Sequence, residues 1–384
     1  MNMDEMNANA NVSQASTLKE TDKKCPQCGG VMDFDPNIGG MACPYCGYEE
    51  EIVQEAASAA ELDFESAEKT ENCDWGAQKK QIICKSCGAE TIYDALDVAS
   101  ECPYCGSNQV MEAADENTLA PGGVVPFAIT NEQASANFKQ WIGKKFFCPK
   151  LAKQSAQPDA FTGIYLPYWT FDTDTTSRYS GRYGIDRTER YKDSDGNVQE
   201  KTVTDWHRTS GIFKLAIDDE LVQGSERHDS AMLKGLEPFE TEKNVPYKPE
   251  YVAGFAAERY SVGLKAAWEK AKASISGKIK SKITNKIRDD YNADHVKDVK
   301  VSTKFEKITY KYLMLPIWCS SFKYQDKVYQ FMVNGQTGKV YGKTPVSVGK
   351  IILVIAIVLI VILLFLCCFG GIGSIQDIAN NLGN

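Results

Sequence analysis

Apolar and polar positions fall into three regimes along the 384 residues. Near the C-terminal end, Ile351 to Phe369 is an unbroken run of 19 apolar residues. As a helix it spans roughly 28 Å at about 1.5 Å per residue, close to the ~30 Å of a hydrocarbon core. A soluble helix keeps polar residues on at least one face, so the run predicts a transmembrane helix over 351–369. Upstream, Ile275, Ile279, Ile283 and Ile287 recur every four residues among Lys272, Lys278, Lys280, Lys282, Lys286 and Arg288. That spacing predicts an amphipathic helix over 265–290, either packed on a sheet with a solvated basic face or resting on anionic lipid. The third regime alternates. Arg187 to Arg208 around Asp193-Ser194-Asp195-Gly196-Asn197, and Lys327 to Tyr341 around Asn334-Gly335-Gln336-Thr337-Gly338, read as hairpins.

Two stretches look alike. Val125-Pro126-Phe127 leads through a helical pattern to Leu166-Pro167-Tyr168-Trp169, and Val245-Pro246-Tyr247 leads through another to Leu315-Pro316-Ile317-Trp318. Residues 124–349 therefore read as an α+β domain, internally duplicated. Leu166 to Asp172 reads as a core strand with Pro167 marking its start, in preference to the wall of a ligand groove. Residues 1–22 are polar with few aromatics and are expected to be disordered. They show no basic stretch leading into an apolar one, so no signal peptide is expected there. Residues 51–81 read as an acidic linker containing a transient helix, and 370–384 as a short tail.

Charge sharpens this layout. Residues 1–120 hold seven Lys, no Arg and 23 Asp or Glu, a net −16; residues 121–349 carry +8. Phosphate backbones bind through Lys and Arg, so the acidic end disfavours nucleic acid. Lys339, Lys343 and Lys350 precede the apolar run and only Asp377 follows it. Positive flanks stay on the cytoplasmic side, which puts residues 1–349 in the cytoplasm of a single-pass cell-membrane protein.

The candidate chemistry lies in the cysteines. Cys25-Pro-Gln-Cys28-Gly and Cys43-Pro-Tyr-Cys46-Gly form one set, in residues 23–50; Cys84-Lys-Ser-Cys87-Gly and Cys102-Pro-Tyr-Cys105-Gly form another, in residues 82–110. In both, 14 residues separate the C-x-x-C pairs. Two intervening residues let one tight turn offer both sulfurs to one ion, and the next Gly supplies a left-handed backbone angle. The spacing predicts two small β zinc ribbons, each holding one Zn²⁺ on four thiolates. Disulfides, redox pairs and a four-thiolate iron site are the competing readings. A closed four-thiolate site leaves no position for catalytic water. The three histidines, His207, His228 and His295, form no ligand pair. Gly335-Gln-Thr-Gly338-Lys339-Val340 is too short for a phosphate loop. Cys73, Cys148 and Cys319 have no C-x-x-C partner and read as ordinary thiols. No enzymatic activity is expected.

The eight paired cysteines, Leu166-Pro167-Tyr168-Trp169-Thr170-Phe171-Asp172, Tyr247-Lys-Pro-Glu-Tyr251 with Ala253-Gly254-Phe255, and the terminal apolar run together carry a resemblance. The chain resembles the membrane-anchored zinc-ribbon proteins of Gram-positive bacteria. Their ribbons are similar to those of the primosomal replication-restart helicase; no Walker A loop is present here, so that motor activity is not implied. The expected function is a membrane-tethered, non-enzymatic adaptor: ribbons that bind a protein partner, and a lipid bilayer engaged through 351–369. The alternative is a membrane-associated nucleic-acid binder.

Overall fold

A computed structural model describes residues 12–16, 19–20, 23–53, 58–68, 79–83, 90–94, 97–101, 108–110, 121–155, 161–192, 194, 197–325 and 327–370. The first cysteine set brackets a small sheet of β1 (Asp33–Asp35), β2 (Gly40–Ala42) and β3 (Glu49–Glu50). Helix α1 (Asn131–Lys144) and the short α2 (Lys150–Ser155) follow. Then come β4 (Thr162–Lys192), β5 (Val198–Gln223), α3 (Leu264–Tyr291), β6 (His295–Tyr324), β7 (Lys327–Asn334), β8 (Val340–Gly342) and α4 (Val348–Gly370).

The body is dominated by its sheet. β4, β5 and β6 run 31, 26 and 30 residues. At about 3.3 Å per residue the longest reaches roughly 100 Å. β4 lies in the middle, antiparallel to β5 from Tyr168↔Gln223 out to Lys192↔Val198 and to β6 from Thr162↔Cys319 out to Gly184↔His295. At the base both faces are covered. Tyr165, Trp169 and Phe171 pack on the α3 side, while Leu166 and Tyr168 pack under Met232, Leu233 and Leu236 of a helix at Ser230–Leu236. Double burial explains why this stretch is apolar without alternation. Farther out, among the described residues, α3 covers one face of the sheet, and alternation returns.

Ile275, Ile279, Ile283 and Ile287 are fully buried against that face. Four residues overshoot one turn of 3.6 by about 40°, so the stripe winds round α3 as the sheet beneath it twists. The lipid-resting alternative for residues 265–290 is thereby overturned, because the stripe is spent on the sheet. Pro167 needs a correction too: it sits five residues inside β4 rather than at its start. Its carbonyl accepts the Gly224 N–H at 2.9 Å, just where β5 has ended. N and O of one strand residue point to the same side, so its missing N–H breaks no ladder bond. Pro316 repeats the arrangement, accepting Gly335 N–H at 2.8 Å where β7 has ended. The two look-alike stretches meet each other: Leu166 lies opposite Leu315, and Val124 opposite Val245.

Part of the expected acidic linker is seated on the body. Leu62–Asp63 pairs with β6, and Phe64, 4% exposed, packs edge-on to Phe171 at 6.2 Å. One aromatic anchor outweighs the solubility of its acidic neighbours. α4 is long and apolar enough to cross a membrane: Val348–Phe365 has mean hydropathy 3.3 and none of it is buried in the protein. The tail beyond 370 and residues 1–11 lie outside the described residues.

Candidate metal centre

Each C-x-x-C forms a knuckle closed by the glycine after it. Gly29 and Gly47 take φ of +75° and +74°, and their N–H groups donate to the carbonyls of Cys25 and Cys43 at 2.9 Å. A side chain at either φ would be strained. The β1–β2 hairpin folds one knuckle onto the other. The Sγ atoms of Cys25, Cys28, Cys43 and Cys46 come within 4.8 Å of one another. Cys25–Cys46 is 3.4 Å and Cys28–Cys43 is 3.5 Å, both across the two knuckles. Those separations exceed a disulfide of about 2.05 Å. They approach the ~3.8 Å edge of a tetrahedron built on metal–sulfur bonds of about 2.3 Å.

Electrostatics agrees with the geometry. Burial pushes the Cys43 thiol up, but the Cys46 and Tyr45 amides and the Cys28 and Cys46 sulfurs draw it down further, to about 7. The Tyr48 amide lowers Cys46, yet the three other cysteines and burial drive it up to about 12. Crowded sulfurs cannot all carry negative charge unaided; a cation among them relieves that conflict. The donor set fits one four-coordinate thiophilic ion, which in such a closed shell cross-links the fold rather than activating water.

The centre is fixed to the body. Met32, Phe34 and Met41 are buried beneath the knuckles. Phe34 donates its N–H to Ala253 O at 3.2 Å, and its ring lies 5.7 Å from Tyr251 and 6.5 Å from Phe255. Val252 to Phe255 is a type II turn: Ala253 has φ −64° and ψ 129°, Gly254 has φ +82°, and Phe255 N–H donates to Val252 O at 3.1 Å. A Cβ on Gly254 would sit 3.1 Å from the Asp33 side chain. This seat was not legible as a site in the sequence; its signal was Ala253-Gly254-Phe255 beside aromatic residues.

Of the sequence-derived ligands, the structure brings together Cys25, Cys28, Cys43 and Cys46. Cys84, Cys87, Cys102 and Cys105 lie outside the described residues, as does Cys73. Strands flanking them, Asp97–Glu101 and Asn108–Val110, continue the large sheet through Ala99↔Ala257. Cys148 is buried, and burial pushes the Cys319 thiol up to about 12. No described histidine joins the cysteines: His228 meets Glu258 and His295 meets Asp186, each at 3.0 Å, while His207 stacks on Tyr183. A second acidic group, Asp172, Asp218 and Asp219, lies where the β4 register shifts. Lys311, 3.1 Å from Asp219, already supplies a cation there.

A four-cysteine centre seated on a β-rich body, with an apolar helix at the C-terminal end, defines the class of this chain. Over 331 residues, 85% of this chain and 91% of the other, it is 30% identical to YdjG, an uncharacterised protein of Bacillus subtilis. The chain belongs to the family of YdjG. A stretch of 87 residues, 23% of the chain, is 34% identical to Transcription factor S of Methanocaldococcus jannaschii, covering 68% of that protein. No family model matches the chain, and no solved structure matches it.

Proposed function

We propose that this protein is a membrane-tethered zinc-ribbon adaptor, non-enzymatic, with residues 1–349 on the cytoplasmic face of the cell membrane. The observation that carries this reading is the closed four-sulfur set seated on the body through Phe34. Such a centre, loaded with Zn²⁺, stabilises a binding surface and offers no open coordination position. The identical spacing of Cys84, Cys87, Cys102 and Cys105 supports a second ribbon and a second ion. The first ribbon's outer surface is acidic and apolar: Glu49 and Glu51 are exposed, with Tyr45 at 76% and Ile38 at 42% exposure. That chemistry suits a basic protein surface better than a phosphate backbone.

Similarity to Transcription factor S favours a second reading, in which the ribbons bind nucleic acid or the machinery that works on it. The two separate experimentally. Cross-linked partners are recovered from membranes carrying the intact protein and the Cys25→Ser/Cys28→Ser variant, in parallel with salt-titrated DNA and RNA binding. A protein partner lost in the variant, with no nucleic-acid affinity at a salt near physiological, where exposed charges are screened beyond about 8 Å, supports the adaptor. Tight, salt-sensitive nucleic-acid binding overturns it.

A further inference from the structure

The turn between α1 and α2 leaves a group of large apolar side chains in the open. Phe146 is 61% and Phe147 41% exposed, and their rings meet edge-on at 5.2 Å. Beside them Leu151 is 70%, Val346 61% and Val348 69% exposed. Scattered exposed apolar residues are ordinary; a contiguous patch marks a surface that something covers.

The position of the patch says what covers it. The turn is tied to the root of α4. Lys350 Nζ donates to the carbonyls of Phe146 and Cys148, both at 2.8 Å, and Ser347 N–H donates to Phe147 O at 2.8 Å. Lys350 is the last charge before the 19 apolar residues, and its ammonium also lies 5.6 Å from the centre of the Phe146 ring. The two phenylalanines therefore sit level with the point where the apolar helix begins. Cys148, 1% exposed, holds the turn from inside.

Charge names the kind of surface. From Gln133 to Pro158 there are five lysines and no Asp or Glu. Lys144, Lys145 and Lys150 flank the exposed rings, with Lys145 4.6 Å above the Trp141 ring. Aromatic rings at the headgroup level, lysines reaching outward from them and attraction to anionic lipid are the three ingredients of an interfacial contact.

We propose that Lys144 to Leu151 is a second membrane contact, seated on the anionic cytoplasmic leaflet with Phe146 and Phe147 dipping into the headgroup–acyl boundary. It rests on the reading that α4 spans the bilayer. α4 alone would leave the body free to swivel; two contacts joined at Lys350 fix its tilt, and with it the direction in which the long strands and the cysteine centre face.

The test uses full-length protein in nanodiscs containing phosphatidylglycerol, with the photo-crosslinking residue p-benzoylphenylalanine placed singly at 146, 359 or 191. Position 359 lies midway along α4 and Tyr191 near the outer end of β4. Lipid adducts at 146 and 359 and none at 191 are expected, with the yield at 146 at least threefold lower in neutral phosphatidylcholine nanodiscs. A second probe at 147 covers disturbance of the fold by the first. Adducts at 359 with none at 146 or 147 overturn this contact and leave the spanning helix standing. No adduct at any of these positions overturns both. Equal yield at 191, or equal yield on neutral lipid, also overturns the contact.

Discussion

Gly254→Ala strikes the junction between the cysteine centre and the body without touching a sulfur. Gly254 occupies the third position of a type II turn at φ +82°, and the central peptide of that turn presents Ala253 O to the Phe34 N–H. Alanine leaves two routes. The turn can keep its shape, at about 1–2 kcal/mol for a left-handed L-residue, with a Cβ 3.1 Å from Asp33. It can instead flip to type I, which turns the carbonyl away and forfeits a hydrogen bond worth about 0.5–1.5 kcal/mol net. The protein takes the cheaper route, so docking weakens by about 0.5–1.5 kcal/mol, roughly two- to tenfold in the opening equilibrium. Hydrogen exchange reads this directly. The Phe34 amide should exchange about two- to tenfold faster, while the Gly29 and Gly47 amides, bonded inside the knuckles, keep their rates. An unchanged Phe34 rate refutes the seat; equal acceleration of all three amides refutes its separateness from the centre.

Two further outcomes follow from burial. Ile283→Ala removes a fully buried side chain between α3 and the sheet and should destabilise the body by about 2–5 kcal/mol, read by thermal denaturation; a loss well under 1 kcal/mol contradicts the packing. Burial raises the Asp172 carboxyl from 3.8 to about 6, against the lowering effect of the Asp219 amide and Lys311. A raised acid favours the folded state most when protonated, so its stabilising effect fades as pH rises from near 4 through 6. Asp172→Asn should gain stability relative to the parent across that window, and a difference in melting temperature that stays flat with pH counts against it.

How much was legible depends on range. Knuckles, hairpins and the period-four helix are local patterns, and Cys25 to Cys46, Lys327 to Tyr341 and Ile275 to Ile287 reveal them directly. The length of β4 and β5 was not legible: only the outer part of their hairpin alternates, because at the base both faces are buried and the period of two disappears. Pro167 misled for a related reason. A proline reads as a strand start until the partner strand's end is known, and that end depends on Gly224, 57 positions away. The seat of Phe34 on Ala253 is likewise a contact between distant segments: Ala253-Gly254-Phe255 signals a turn but not what docks on it. Phe146 and Phe147 look unremarkable in sequence; their exposure depends on α2 folding back and on Lys350 reaching their carbonyls.

The central claim is that Cys25, Cys28, Cys43 and Cys46 grip a metal ion. Elemental analysis of full-length protein, purified without chelator under reducing conditions, tests it most directly when paired with Cys43→Ser/Cys46→Ser. Two zinc ions per chain are expected for the parent and one for the variant. Parent protein that carries no metal, with those four sulfurs joined as disulfides, would contradict the account.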